Sequence, residues 1–137
     1  VTLFVDTSVL YAALDRADVG HVRARELLSM RESLLTTDHV LVETWLLAQR
    51  RLGQLVAEAF WGGIRAGGVA FATVESVDLD AAWQIGAAFP DQAFSIVDRT
   101  SFAVMLRLGV HRAASFDTDF AVFRFGPRRD RAFEIVR

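Results

Sequence analysis

Four carboxylates stand at positions where this 137-residue chain could use them together: Asp6 in LFVDTSVL, Glu43 in HVLVETWLL, Asp98 in FSIVDRTSFAVM and Asp117 in ASFDTDF. Oxygen ligands of this kind suit hard divalent cations, Mg2+ or Mn2+. A cation held this way lowers the pKa of bound water and stabilises the attacking and leaving oxygens of a phosphodiester. It also inverts the potential of an acidic pocket, so that a phosphate can enter. Glu43 is the most telling of the four. Its neighbours at helical spacing are His39, Val40, Leu46 and Leu47, and a lone Glu buried among apolar groups is costly as an ion without a partner. Each carboxylate also has an ordinary role open to it. Asp6 suits a helix cap, Asp98 a first-turn helix carboxylate, Glu43 an ion pair with Arg50 or Arg51, and Asp117 a turn. Spacing alone does not establish that the four meet.

Composition removes several other chemistries. There is no cysteine, so disulfides, thiolate nucleophiles and cysteine-ligated zinc are excluded. All fifteen basic residues are arginine, which excludes a Walker A lysine and Schiff-base catalysis. The net charge of −2 gives no global basic signature for nucleic acid, so any such contact must be local. Hydrophobic residues make up 53% of the chain, enough for one core. No apolar run approaches the ~20 residues of a membrane span, and no signal peptide is evident. A cytoplasmic protein without membrane contact is expected, with residues 1–137 forming one domain.

The elements that must position the carboxylates follow from periodicity. Strands are expected at Thr2–Val5, Ser33–Thr37, Val69–Val74, Ala113–Phe116 and Ala132–Val136. Helices are expected at Val9–Leu14, Val19–Arg31, His39–Leu52 with Asp38 as cap, Leu55–Ala66, Asp78–Phe89 and Ile96–Leu108, with a short helix or turn after Asp119. Val22 is expected to face inward, as are Val40, Val42, Trp45, Leu46 and Leu52. Alternating strands and helices imply a mainly parallel sheet covered on both faces. In such sheets ligands bind at the carboxyl ends of the strands. Asp6 follows the first strand directly and Asp117 follows the fourth, so both belong at that rim.

The segments VDTSVLYAAL, VLVETWLL, FSIVDRTSFAVM and AASFDTDF, in this order and spacing, resemble the PIN domain. The pattern S-x-V-D-x-x-S-F-A-V-M is similar to the VapC-type toxins of bacterial toxin–antitoxin pairs. The resemblance spans essentially the whole chain and implies a three-layer α/β/α sandwich with a mainly parallel central sheet. It implies that Asp6, Glu43, Asp98 and Asp117 bind one or two Mg2+ or Mn2+ ions and cleave RNA endonucleolytically. Asp6, Asp98 and Asp117 would hold metal, and Glu43 would hold metal or position the water. Ser8 matches a hydroxyl position near the metal shell, and Asp119 an accessory acidic position. Thr100 or Ser101 is a polar neighbour of Asp98. The implied partners are the RNA substrate, a VapB-like antitoxin and a second copy of the chain. The stretch TTDHVLVETWLLAQRRLG bears a weaker similarity to members that cut a ribosomal RNA stem-loop, but the sequence carries no code for the target.

Of the histidines, His21 is expected in a structural role or near a partner surface, His39 in capping or packing rather than in touching RNA or orienting Glu43, and His111 in a loop before a strand. Arg99, Arg112, Arg124, Arg128, Arg129 and Arg131 are candidates for phosphate contact. Trp45, Trp61 and Trp83 sit among aliphatics, which favours core or interface over base stacking. The hairpin His39–Ala66, with Phe60 and Trp61, is a candidate clip for an antitoxin helix or a second copy. The rivals are a non-catalytic PIN-like binding module, a DNA-directed metallonuclease with the same carboxylates, and a receiver-like or phosphatase domain. The last is disfavoured, because the chain has no lysine and reads D-T-S-V-L after the first strand rather than D-x-D-x-T.

Overall fold

The computed structural model describes residues 2–137; Val1, the first residue of the expected domain, lies outside the described residues. The elements run β1 (Thr2–Val5), α1 (Thr7–Leu14), α2 (His21–Leu28), β2 (Ser33–Thr37), α3 (Asp38–Leu52), α4 (Gln54–Arg65), β3 (Val69–Ala72), α5 (Ser76–Ala88), α6 (Ile96–Leu108), β4 (Arg112–Ala114), α7 (Asp119–Val122) and β5 (Glu134–Val136). The five strands form one sheet in the order β3-β2-β1-β4-β5. Every pairing is parallel. Right-handed crossovers then put α1–α4 on one face and α5–α7 on the other. The packing agrees: α1 meets α2 and α3, α3 meets α4, α5 meets α6, and α6 meets α7. The mainly parallel α/β/α sandwich is borne out.

The chain builds leftward from β1 and then returns to build rightward from it. β1 and β4 are therefore neighbours whose connections leave in opposite directions, which opens a crevice at their carboxyl ends. Phe4 pairs with Ala113 and Val5 with Ala114. The ladder continues one residue further, because the Asp6 N–H donates to the Ala114 carbonyl at 3.0 Å. Thr36 on β2 donates its buried hydroxyl to the Val5 carbonyl at 2.8 Å, which pins the end of β1 from the other side.

Several boundaries differ from expectation for local reasons. Thr37, not Asp38, caps α3: its hydroxyl accepts from the Val40 N–H. Asp38 instead accepts from the Val74 N–H at 2.9 Å and ties the start of α3 to the chain leaving β3. The helix α5 begins at Ser76, with Asp78 reaching back to the Glu75 N–H. The helix α2 is shorter than its apolar residues suggested, and Val22 faces solvent. Val42 and Leu46 on α3 are also about half exposed. Among the helices only α6 matches its expected bounds at both ends, as β1 and β2 do among the strands; Ser95 caps it and Gly109 closes it in the left-handed conformation.

The core beneath α6 is aromatic. Phe102 is fully buried, stacks on Phe123 with ring centroids 4.4 Å apart, and meets Phe120 edge-on at 4.9 Å. Phe94 and Phe133 close around it. A bidentate ion pair from Arg107 to the buried Asp78, 2.9 Å on each arm, fastens α6 to α5. These contacts fix the helix that carries Asp98. Phe102→Ala should therefore lower the unfolding free energy by about 3–5 kcal/mol, measured as a fall in urea midpoint at unchanged m-value.

Candidate metal centre

Asp6 leaves the end of β1 and is buried. Two hydroxyls converge on its Oδ2, Ser8 at 2.8 Å and Ser115 at 2.9 Å. Ser115 is fully buried, lies just beyond β4, and also accepts from the Asp117 N–H at 3.1 Å. Ser8 accepts from the Phe116 N–H at 2.9 Å. The turn after β4 is thus stitched to the turn after β1 by side chains from both. Burial pushes the Asp6 carboxyl above its ordinary pKa, against the opposing effect of the Ser8 and Ser115 hydrogen bonds.

Asp98 enters from the first turn of α6, where its N–H donates to the capping Ser95 hydroxyl. Its carboxylate and those of Asp117 and Asp119 each place an oxygen within 4.8 Å of the others. Burial first, then the charge of Asp6, a hydrogen bond with Asp119 and the charge of Asp117 raise the Asp98 pKa to about 8. Asp117 also serves its turn, since its Oδ1 accepts from the Asp119 N–H at 2.9 Å. The metal reading and the turn reading of Asp117 are compatible.

The structure treats the expected residues unequally. Asp98 and Asp117 come together, Asp6 lies close enough to load Asp98 electrostatically, and Ser8 holds Asp6. Asp119, expected only as an accessory, stands inside the tight group. Glu43 stands outside that group and is half-buried rather than enclosed. The exposure of Val42 and Leu46 removes the apolar surroundings that made it appear costly. Glu43 lies one turn beyond His39 on the same helix face, and His39 Nδ1 is 3.4 Å from Thr100 on α6. Sequence reasoning missed Ser115 altogether. The only available signal was its place two residues before Asp117, at the end of an expected strand.

The donors suit a hard cation. All are carboxylate oxygens, and among the described residues no arginine pairs with Asp6, Asp98, Asp117 or Asp119. Two buried hydroxyls find no partner among the described residues, Thr7 Oγ1 and Ser101 Oγ. One follows Asp6 in sequence and the other is one helical turn from Asp98. Orphaned buried groups at such a place fit a site that a ligand completes.

The arginines divide clearly. Arg112 is engaged by Glu32 and Glu134. Arg124 donates to carbonyls of its own neighbourhood. Arg129 and Arg131 lie over Phe89 and Phe125. Arg99 is held by backbone carbonyls alone. His21 bonds the Ala12 carbonyl, and His111 packs on Phe125 and Phe133.

Comparison with known proteins finds relatives in sequence and in fold. The PIN domain family matches residues 3–126. The chain is 37% identical over 125 residues to the 23S rRNA-specific endonuclease VapC20 of Mycobacterium tuberculosis, covering 90% of this chain and 95% of that protein. The crystal structure of Mycobacterium tuberculosis VapC20, described as a sarcin-ricin loop cleaving toxin, is similar with a TM-score of 0.81 over 87% of this chain and 92% of that one. VapBC2 from Rickettsia felis, bound to a DNA fragment from its promoter, shares the fold at a TM-score of 0.70 and 7% identity, over 99% and 98% of the two chains. DNA-bound VapBC from Salmonella typhimurium shares it at 0.63 and 14%, over 99% and 97%.

Two measurements test the electrostatics. Without metal, the unfolded chain loses the Asp98 proton near its ordinary value of 3.8, whereas the folded chain keeps it to about 8. The folded state binds the extra proton across that window, so the Asp98 contribution to stability falls as pH rises from about 4 to 8 and then levels. Denaturant titrations in EDTA should show this fall, and Asp98→Asn should flatten it. Ser115→Ala removes a support of Asp6 and should weaken divalent-cation binding about 10- to 100-fold, read by calorimetry.

Proposed function

The chain belongs to the PIN-domain family and is an endoribonuclease of the VapC toxin type, and from this we propose that Asp6, Asp98, Asp117 and Asp119 hold the Mg2+ or Mn2+ that its cleavage requires. The observation that carries the reading is the convergence of three carboxylates within 4.8 Å at the sheet's switch point, with Asp6 buried beside them. A bound divalent cation would activate water and offset charge on the phosphodiester.

The chain's own residues prepare that chemistry. Ser8 and Ser115 orient Asp6 from two directions. The first turn of α6 presents Asp98 at the positive end of the helix dipole, which favours both the carboxylate and an approaching phosphate. Burial and the charge of Asp6 favour the protonated form of Asp98 in the metal-free centre, and that proton would leave as a cation binds. Among the described residues no ion pair engages Glu43, and our reading assigns its carboxylate to orienting the attacking water.

The substrate in this reading is a ribosomal RNA stem-loop. The support is 37% identity, over 90% of the chain, to a protein named for its action on 23S rRNA. A cytoplasmic setting follows from that substrate, and no helix is long and apolar enough to cross a membrane. A groove of about 500 Å³ between α1 and α4, lined by Leu10, Leu14, Leu28, Leu55, Phe60 and Ile64, supports docking of an apolar segment of a VapB-like antitoxin. Val42, Leu46 and Trp61, exposed on the α3–α4 hairpin, support contact with a second copy.

Asp6→Asn and Asp98→Asn should each lower cleavage of a ribosomal stem-loop RNA by about a hundred-fold or more, the scale of one group in a charge-stabilising site. EDTA should abolish cleavage and added Mg2+ or Mn2+ restore it. Undiminished cleavage by these variants, or in EDTA, would refute the metal assignment. Equal cleavage of the matching DNA would favour a DNA-directed nuclease.

A further inference from the structure

A second feature lies one residue from Asp98. A pocket of about 240 Å³ is lined by Trp83, Gly86 and Ala87 of α5, Gln92 and Phe94 of the connecting loop, and Arg99 of α6. Trp83 is 78% exposed, so of the two expected places for it, core or interface, the core does not hold. A large aromatic face left open beside a cation is an arrangement that stacks planar ligands.

Arg99 is built into this pocket. Its Nε donates to the Phe94 carbonyl at 3.2 Å and its Nη1 to the Ala82 carbonyl at 3.4 Å. Among the described residues no carboxylate pairs with it. Its charge is therefore uncompensated while its position is fixed. The fixing depends on Gly86, because a Cβ there would collide with Arg99 Nη1. A glycine inside a helix costs about 1 kcal/mol relative to alanine, and here it makes room for the guanidinium.

We propose that the Trp83–Gln92–Arg99 pocket, on the flank of the helix that carries Asp98, receives an unstacked base of the RNA substrate. This rests on the nuclease reading of the neighbouring carboxylates. The indole supplies a stacking face, the Gln92 amide can both donate and accept at a base edge, and the Arg99 guanidinium faces the ligand's negative charge. Sequence-specific recognition of RNA usually works on bases splayed out of loops and stacked on such groups. Arg99 follows Asp98 in the first turn of α6, and successive helical side chains diverge by about 100°, so the pocket opens toward α5 on the flank of the helix whose other side carries Asp98.

The test uses a fluorescently labelled stem-loop of the 23S sarcin–ricin type, with the full chain in an Asp6→Asn background so that bound RNA is not cut. Trp83→Ala should weaken binding about ten-fold, in the range for one stacked base. Gly86→Ala, which displaces the end of the Arg99 side chain, should weaken it as well without lowering the thermal midpoint, since alanine is the better helix former. An RNA made abasic at the flanking nucleotide should bind wild-type and Trp83→Ala pockets equally. Unchanged affinity in both variants, while the Asp6-intact chain still cleaves the RNA, would overturn the pocket and leave the nuclease reading standing. Loss of affinity that follows dissociation of a dimer on sedimentation would also overturn it, by assigning Trp83 to an interface between copies. A chain that neither binds nor cuts the RNA defeats both readings.

Discussion

Mutual repulsion among carboxylates confined at the junction of β1 and β4 is the constraint around which the molecule is arranged. Asp98 feels burial and three negative neighbours at once. A flexible scaffold would relax by letting the groups swing apart. Here the scaffold does not allow it. The Asp6 N–H extends the sheet ladder, Ser115 and Ser8 clamp its carboxylate, and the aromatic stack beneath Phe102 holds α6 in place. The strain is electrostatic, and it is retained because the surrounding hydrogen bonds and packing are local, short and numerous.

The distribution of arginine reinforces this. With fifteen arginines against seventeen acids, random pairing would be expected to neutralise the centre. Among the described residues, those that pair with acids do so elsewhere: Arg107 with Asp78, Arg112 with Glu32 and Glu134, and Arg23 with Glu26. An internal guanidinium would compete with a metal for the same oxygens. Keeping arginine away leaves the negative potential available to an external cation.

The fold was legible because its signals are local. The pattern from Ile96 to Leu108 carries an apolar stripe, a serine cap and a closing glycine, and both ends of α6 follow from them. Asp6 and Asp117 were placed at the rim by chain order alone. The misjudged residues depend on partners remote in sequence. Ser115 reads as an ordinary strand-end residue until it meets Asp6, 109 positions away. Glu43 appeared enclosed because its neighbours are apolar, yet Val42 and Leu46 face solvent on a helix that packs along only part of its circumference. Trp83 is absent from the core for the same reason. Periodicity reports which residues share a face, and it does not report whether that face is covered.

The separation between Asp6 and Ser115 has a consequence in time. A growing chain presents Asp6 before Asp98, and β4, with Ser115, Asp117 and Asp119 after it, follows both. Until β4 slots in beside β1, there is no crevice and no clustered charge. Order of synthesis thus acts as a built-in delay, because the parts of the centre cannot meet before β4 has been made.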